Sequence, residues 1–109
     1  MSQRGGERFP ELDPLIHPPV RLQVMTTLCA LSEGERISFT EMQSALGVSA
    51  GNLGAHLAKL EEAGYVRLTK AFKDRRPVTW LEATDAGRAA FDRYLASLKA
   101  YFEQGGGES

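Results

Sequence analysis

The sequence predicts an α+β fold, mainly α. Two short helices lead into a two-stranded β-hairpin, and the chain closes on an additional C-terminal helix. Three observations carry this prediction. Leu46-Gly47-Val48-Ser49 reads as one helix ending at a glycine and the next starting at a serine cap. Leu53, Leu57 and Leu60 recur at helical spacing, and Gly64 follows as a stop. Residues 66–82 are rich in β-branched and aromatic side chains, interrupted by Lys73-Asp74-Arg75-Arg76. Helix, turn, helix, strand, basic tip, strand is the order of a winged helix-turn-helix, with the hairpin as its wing.

The 109 residues suit one small domain with one core. The expected organisation is a disordered tail over 1–10, a folded domain over 11–102 with a C-terminal dimerisation helix, and a flexible tail over 103–109. Hydrophobic residues make up 42% and charged residues 25% of the chain, a globular mix that argues against wholesale disorder. No apolar run approaches the roughly 20 residues that span a bilayer, so no membrane partner is expected. Residues 1–8 are polar and lack the apolar stretch of a secretory signal. Cys29 stands alone, which excludes a disulfide framework within the chain and a multi-cysteine metal site. A reducing, cytoplasmic setting is the expectation.

The elements follow in order. Leu12, Leu15 and Ile16 suggest a short apolar turn or helix, punctuated by His17-Pro18-Pro19. Proline is tolerated in a first helical turn, where its missing N–H has no partner, so a helix is expected over 19–31. Val20, Val24, Met25, Leu28 and Leu31 form its main apolar face, and Leu22 and Cys29 a second stripe. Cys29 is read as a small core residue, with a redox switch as the lesser alternative. Ile37 suggests a one-bridge strand. Ser38 with Glu41 three positions on is a capping-box pattern for a helix to Leu46 that buries Phe39, Met42 and Leu46. Ser49 caps the next helix, to about Ala63. Strands are expected over 66–72 and 77–82, with Lys73 to Arg76 as the polar connection. Thr84 then caps a helix over 85–102. Trp80 is left without an assigned face: it either joins the core or places its indole N–H at the surface.

Charge and helical geometry select the candidate site. The net charge is −1, yet residues 36–76 carry seven Lys/Arg against four acids, leaving six against ten elsewhere. Positive charge is thus concentrated in the segment that would read DNA. With Leu53, Leu57 and Leu60 on the core side, Gly51, Asn52, Ala55 and Lys59 point away and His56 sits on the flank. Such a face, small near its amino end, suits close approach to a major groove. Asn52 suits adenine or a phosphate, Ser49 and the free N–H groups of the first turn a phosphate, and Lys59 the DNA backbone. Gly51 and Gly54 each cost about 1 kcal/mol inside a helix, which hints at close backbone approach or local flexibility. Lys70, Lys73, Arg75 and Arg76 suit an A·T-rich minor groove, and Asp74 is expected to orient Arg76 through an ion pair. Phe91, Tyr94, Leu95, Leu98, Tyr101 and Phe102 make an apolar stripe too broad for a small core. A twofold dimer would bury the surplus together with Leu12, Leu15 and Ile16; the alternative is that this helix packs back on those residues and on the first long helix of its own chain.

These residues resemble the small winged-helix regulators related to the MarR and ArsR families, over about residues 12–100. His17-Pro18-Pro19-Val20-Arg21-Leu22 looks like the opening of the first long helix. Gly51-Asn52-Leu53-Gly54-Ala55-His56-Leu57 resembles the recognition helix. Phe72-Lys73-Asp74-Arg75-Arg76-Pro77-Val78-Thr79-Trp80 resembles the wing, and Thr84-Asp85-Ala86-Gly87-Arg88 the start of the last helix. The resemblance implies a dimeric DNA-binding transcription regulator, with Asp74 and Arg76 as the Asp-x-Arg pair of a MarR-like wing. Two departures stand out. Gly54 and Ala55 occupy positions where relatives often carry Ser or Thr and a basic residue. The strand after the wing is also one residue longer than usual, which implies a different tilt.

Other functional classes find little support in these residues. No Gly-rich phosphate loop, nucleophile arrangement or metal-ligand cluster is present, so no catalytic residue, metal or cofactor is expected. The alternative function is a winged-helix protein–protein interaction module without intrinsic DNA binding, favoured by the near-neutral charge and the bare Gly54-Ala55 face. A small-molecule effector at the dimer interface is a further expectation, with Tyr94, Tyr101 and Trp80 as candidate linings.

Overall fold

The computed structural model describes residues 13–106. Among these, four helices and three strands follow in the order α1 (Pro19–Ala30), β1 (Ile37–Ser38), α2 (Phe39–Leu46), α3 (Ala50–Glu62), β2 (Val66–Lys73), β3 (Arg76–Ala83) and α4 (Asp85–Gly106). The expected tail over 1–10 and the candidate dimer residue Leu12 lie outside the described residues, as do residues 107–109.

Local chemistry sets the element ends. Pro19 opens α1 at its first position, and Leu31 stands at its C-cap. The Ser38 hydroxyl accepts from the Glu41 amide at 3.1 Å, while the Glu41 carboxylate accepts from the Ser38 amide at 2.9 Å, completing the capping box of α2. Hydrogen bonding to the carboxylate from the Ser38 amide and then from the Ser38 side chain, with a smaller pull from Lys73, holds the Glu41 carboxyl below its ordinary value of 4.5. The carboxylate half of the capping box is therefore intact at neutral pH and weakens only as pH falls through that lowered value. Gly47 takes φ 68°, the left-handed conformation that closes α2. Ser49 caps α3 by accepting from the Asn52 amide at 3.1 Å. Thr84 caps α4, its hydroxyl accepting from the Gly87 amide at 2.9 Å and donating to the Gly64 carbonyl. A Cβ at Gly87 would run into the Tyr65 carbonyl oxygen, so glycine is what lets α4 start against the α3–β2 turn. The last helix runs to Gly106, past the expected end at Phe102. Its backbone bonds are internal to the helix, so it needs no core to continue.

The sheet has strand order β1-β3-β2 and is antiparallel throughout. Ile37 pairs with Leu81 and Ser38 with Trp80, so the expected single bridge is a two-residue strand on the edge of β3. The hairpin is tighter than expected. Lys73 and Arg76 pair as the last rung, and the connection shrinks to Asp74 and Arg75 with φ 52° and 67°. Two central residues with positive φ are the mark of a type I′ turn, whose twist matches that of the strands. The expected Asp74–Arg76 ion pair is not formed in this turn. Asp74 sits within the turn while Arg76 begins β3 opposite Lys73.

The core gathers Ile16, Val24, Met25, Leu28, Met42, Leu53, Leu57, Leu60, Val66, Leu81, Ala90, Phe91 and Tyr94. The two apolar stripes of α1 reach α2, α3, α4 and β3. Cys29 packs against this core, and burial pushes its thiol up from the ordinary 9.0. Ile16, Phe91 and Tyr94 are buried within the chain itself, so they belong to the core and not to a face open to a partner. The turn ahead of α1 brings Ile16 inward, and the first turns of α4 lie against α1 and β3. Leu15 and Leu98 are partly buried beside them, while Leu95, Tyr101 and Phe102 remain exposed. Trp80 lies on the sheet face opposite Leu81, because successive strand residues alternate. There the Arg36 guanidinium stands 4.7 Å and the Lys73 ammonium 5.7 Å from its ring centroid. Trp80 and Tyr94 are thus on opposite sides of the sheet within the chain.

Candidate nucleic-acid interface

The second helix of the pair, α3, separates two faces. Leu53, Leu57 and Leu60 are fully buried, while Gly51, Asn52, Ala55 and Lys59 are exposed. Burial of three leucines at one helical spacing fixes the rotation of α3, and hence which side chains look outward. A Cβ built on Gly51 or Gly54 meets nothing within 4 Å. Neither glycine is required by packing inside the chain, so the weak helix formers near the start of α3 answer to no internal contact. Ser49 is exposed at the amino end, its oxygen already engaged by the Asn52 amide.

His56 differs from its neighbours. It is half-buried, and its Nδ1 accepts from Arg21 Nε at 3.1 Å. The same guanidinium donates through Nη1 to the Leu15 carbonyl at 3.3 Å. Arg21 therefore ties the turn before α1 to the flank of α3. His56 serves this tie with one ring nitrogen and leaves only Nε2 for another partner. Arg21 escaped the sequence reading because its partner is 35 positions away; only the packing of α1 on α3 brings the two together.

The wing carries Lys70, Lys73, Arg75 and Arg76, all exposed. Register divides them. Lys73 and Arg76 share the Trp80 face, Lys70 lies on the opposite face with Phe72, and Arg75 caps the turn. The cations thus form a collar around the hairpin and not a single flat patch. Lys73, Asp74, Arg76 and Trp80 also line a groove against Ser38, Thr40 and Glu41 at the start of α2. Arg67, by contrast, faces Glu82 at 3.7 Å and is committed within the sheet. Phe72, which sequence reasoning left out of the site, is 76% exposed beside the turn. Among the described residues no group of three or more His, Cys, Asp or Glu is placed to hold a metal ion. None of the helices described is long and apolar enough to cross a membrane.

This arrangement has counterparts. A family model described as a winged helix DNA-binding domain matches residues 20–102. An uncharacterised protein of Methanocaldococcus jannaschii is 36% identical over 79 residues, covering 72% of this chain and 83% of that protein. A transcriptional regulator homologue from Pyrococcus horikoshii superposes with a TM-score of 0.74 at 36% identity, over 82% of this chain and 85% of that one. FabT of Streptococcus pneumoniae, solved in complex with DNA, shares the fold at a TM-score of 0.55 and 24% identity, over 83% and 64% of the two chains.

Proposed function

The chain belongs to the winged helix DNA-binding domain family, and on that premise we propose that it is a dimeric, non-enzymatic regulator that binds double-stranded DNA in the cytoplasm and represses transcription. The observation that carries the reading is the outward face of α3. It is exposed, small at its amino end and unobstructed around Gly51 and Gly54, and it precedes a wing with four exposed cations. A major groove admits a helix only as closely as its side chains allow, and glycine and alanine set that limit lowest. Asn52 reads a base or holds a phosphate, Ser49 and the first-turn amides take a phosphate, and Lys59 neutralises one farther along. His56 reaches the DNA through Nε2. Lys70, Lys73, Arg75 and Arg76 hold the backbone and minor groove beside the site.

The dimer rests on Leu95 and Phe102, which are 46% and 66% exposed on α4. Leu98, Tyr101 and Leu15 extend that face. A twofold pair would set two α3 helices about 34 Å apart, one DNA turn. Repression follows from occupancy, because a protein of this kind blocks polymerase by sitting on its site. An effector between the protomers would have to use Tyr101 and the α4 face, because Trp80 points elsewhere.

The test is fluorescence anisotropy on random-sequence and A·T-rich duplexes across a salt series, with Arg75→Ala/Arg76→Ala beside the wild type. The expected result is salt-steep binding, with a log–log slope about 2 units shallower in the double variant. Absence of binding at low salt by folded protein would defeat the reading. The net charge of −1 favours a second reading, a winged helix that docks a protein. That module would leave a heparin column early, and the regulator late.

A further inference from the structure

We propose that Phe72 is an apolar wedge that enters the minor groove of bound duplex DNA and unstacks a base step. The proposal extends the DNA-binding reading and rests on it. Strand register leads to it. Val66, Leu68, Lys70 and Phe72 share one face of β2, and Leu81, Thr79 and Pro77 share the same face of β3. At the root of the hairpin this face is core: Val66 and Leu81 are buried. Toward the tip the sheet outruns the helices, and Lys70 is exposed, as a residue past the core edge should be. Phe72 lies one step farther out in the same register, yet it is the largest apolar side chain the wing could carry short of tryptophan, at 76% exposure. Nothing in the fold of the chain rewards a phenylalanine there, since water is its main neighbour.

The surroundings select the occupant. Lys70, Lys73, Arg75 and Arg76 stand within four positions of Phe72 along the hairpin, and all are exposed. Lys70 shares the face of Phe72, while Lys73 and Arg76 stand on the other face and Arg75 at the turn. With Asp74 the only acid among them, this collar of cations around the tip favours a polyanion over a protein interface core, from which lysine is depleted. A polyanion with an apolar interior fits it. The minor groove has phosphate walls and a floor of stacked bases, and proteins that insert apolar side chains between base steps use phenylalanine and proline among others. Preorganisation is built in. The Lys73–Arg76 rung closes a two-residue turn, so the next rung, Phe72–Pro77, is of the non-hydrogen-bonded kind in which facing side chains lie close. Pro77 has no N–H to lose on that rung. Its nitrogen faces the β1 side, where β1 stops at Trp80, so the missing donor leaves no strand unpaired. A stiff two-residue turn and a rigid proline opposite hold the phenyl ring at the tip.

The full chain is to be titrated into A·T-rich duplexes carrying 2-aminopurine at successive steps, with anisotropy read across a salt series. Wild type, Phe72→Ala and Phe72→Leu are compared, with thermal melts confirming that the exposed substitutions leave the fold intact. The expected result is a rise in 2-aminopurine fluorescence with wild type and a partial rise with Phe72→Leu. With Phe72→Ala the rise vanishes and affinity falls about tenfold, while the salt slope stays that of the wild type because no phosphate contact is lost. Salt-steep wild-type binding without a fluorescence rise, or a Phe72→Ala protein equal to wild type in both readouts, overturns the wedge and leaves the DNA-binding reading standing. Failure of the wild type to bind any duplex at low salt overturns both.

Discussion

Arg75 carries a local backbone cost that the hairpin itself does not require. It holds φ 67° in a two-residue turn where glycine is the usual occupant. A side chain in this conformation costs on the order of 1 kcal/mol, which the turn could avoid. Arg75→Gly should therefore stabilise the hairpin by roughly 0.5–1 kcal/mol, a rise of a few degrees in Tm. The same substitution should weaken duplex binding and reduce the salt slope by about 1. Thermal melts beside an anisotropy salt series check both halves; a variant that gains stability and keeps full affinity would remove Arg75 from the interface. The basic tip is legible in the sequence, but its composition implies a four-residue connection. Asp and Arg lack the Asn-Gly signature of a type I′ turn, so the tight form left little trace in composition.

At the level of elements, α3 carries two glycines that its own packing does not need. Gly51→Ala should raise helix stability by about 0.5–1 kcal/mol, since a methyl there meets nothing within 4 Å. It should also weaken DNA binding, because that methyl would stand between the helix and the groove edge. Melting curves and titrations on one duplex suffice, and unchanged affinity would mean that the helix does not approach DNA at this point. The boundaries of α2 and α3 were readable in advance because their signals are short-range: a capping box, a left-handed glycine, a serine cap and leucines at helical spacing. The wing's faces were less readable. The sequence shows that strand residues alternate, but it does not show how far the core extends beneath the sheet. Phe72 therefore read as part of a strand, and only the position of the core edge reveals it as exposed.

For the whole molecule, the question is which part of the α4 stripe serves the chain and which part is left over. Phe91 and Tyr94 fill the core, the Tyr94 hydroxyl lying 3.2 Å from His17 Nδ1. Leu95 and Phe102 are surplus, and their exposure is the reason to expect a second copy. The Leu95→Asp/Phe102→Asp variant should fold normally, because neither side chain is in the core, and should run as a monomer where wild type runs as a dimer. Light scattering on both proteins decides it, and a monomeric wild type would sink the expectation. Duplex affinity should fall with dimerisation, since two linked sites act at a high effective concentration. The helix-to-helix spacing of one DNA turn would then be lost as well.

The sequence by itself determined the order and type of the elements, the caps that begin and end the helices, and the outward identity of the α3 face. Each of these is decided by residues within a turn or two of one another, through periodicity and backbone geometry. Tertiary structure alone decided where the core ends. That boundary assigned Ile16, Phe91 and Tyr94 to the interior, Trp80 to the far face of the sheet, His56 to Arg21 and Phe72 to the exposed wing. Burial is a property of what lies across from a residue, and what lies across is set by packing between segments that are distant in the chain.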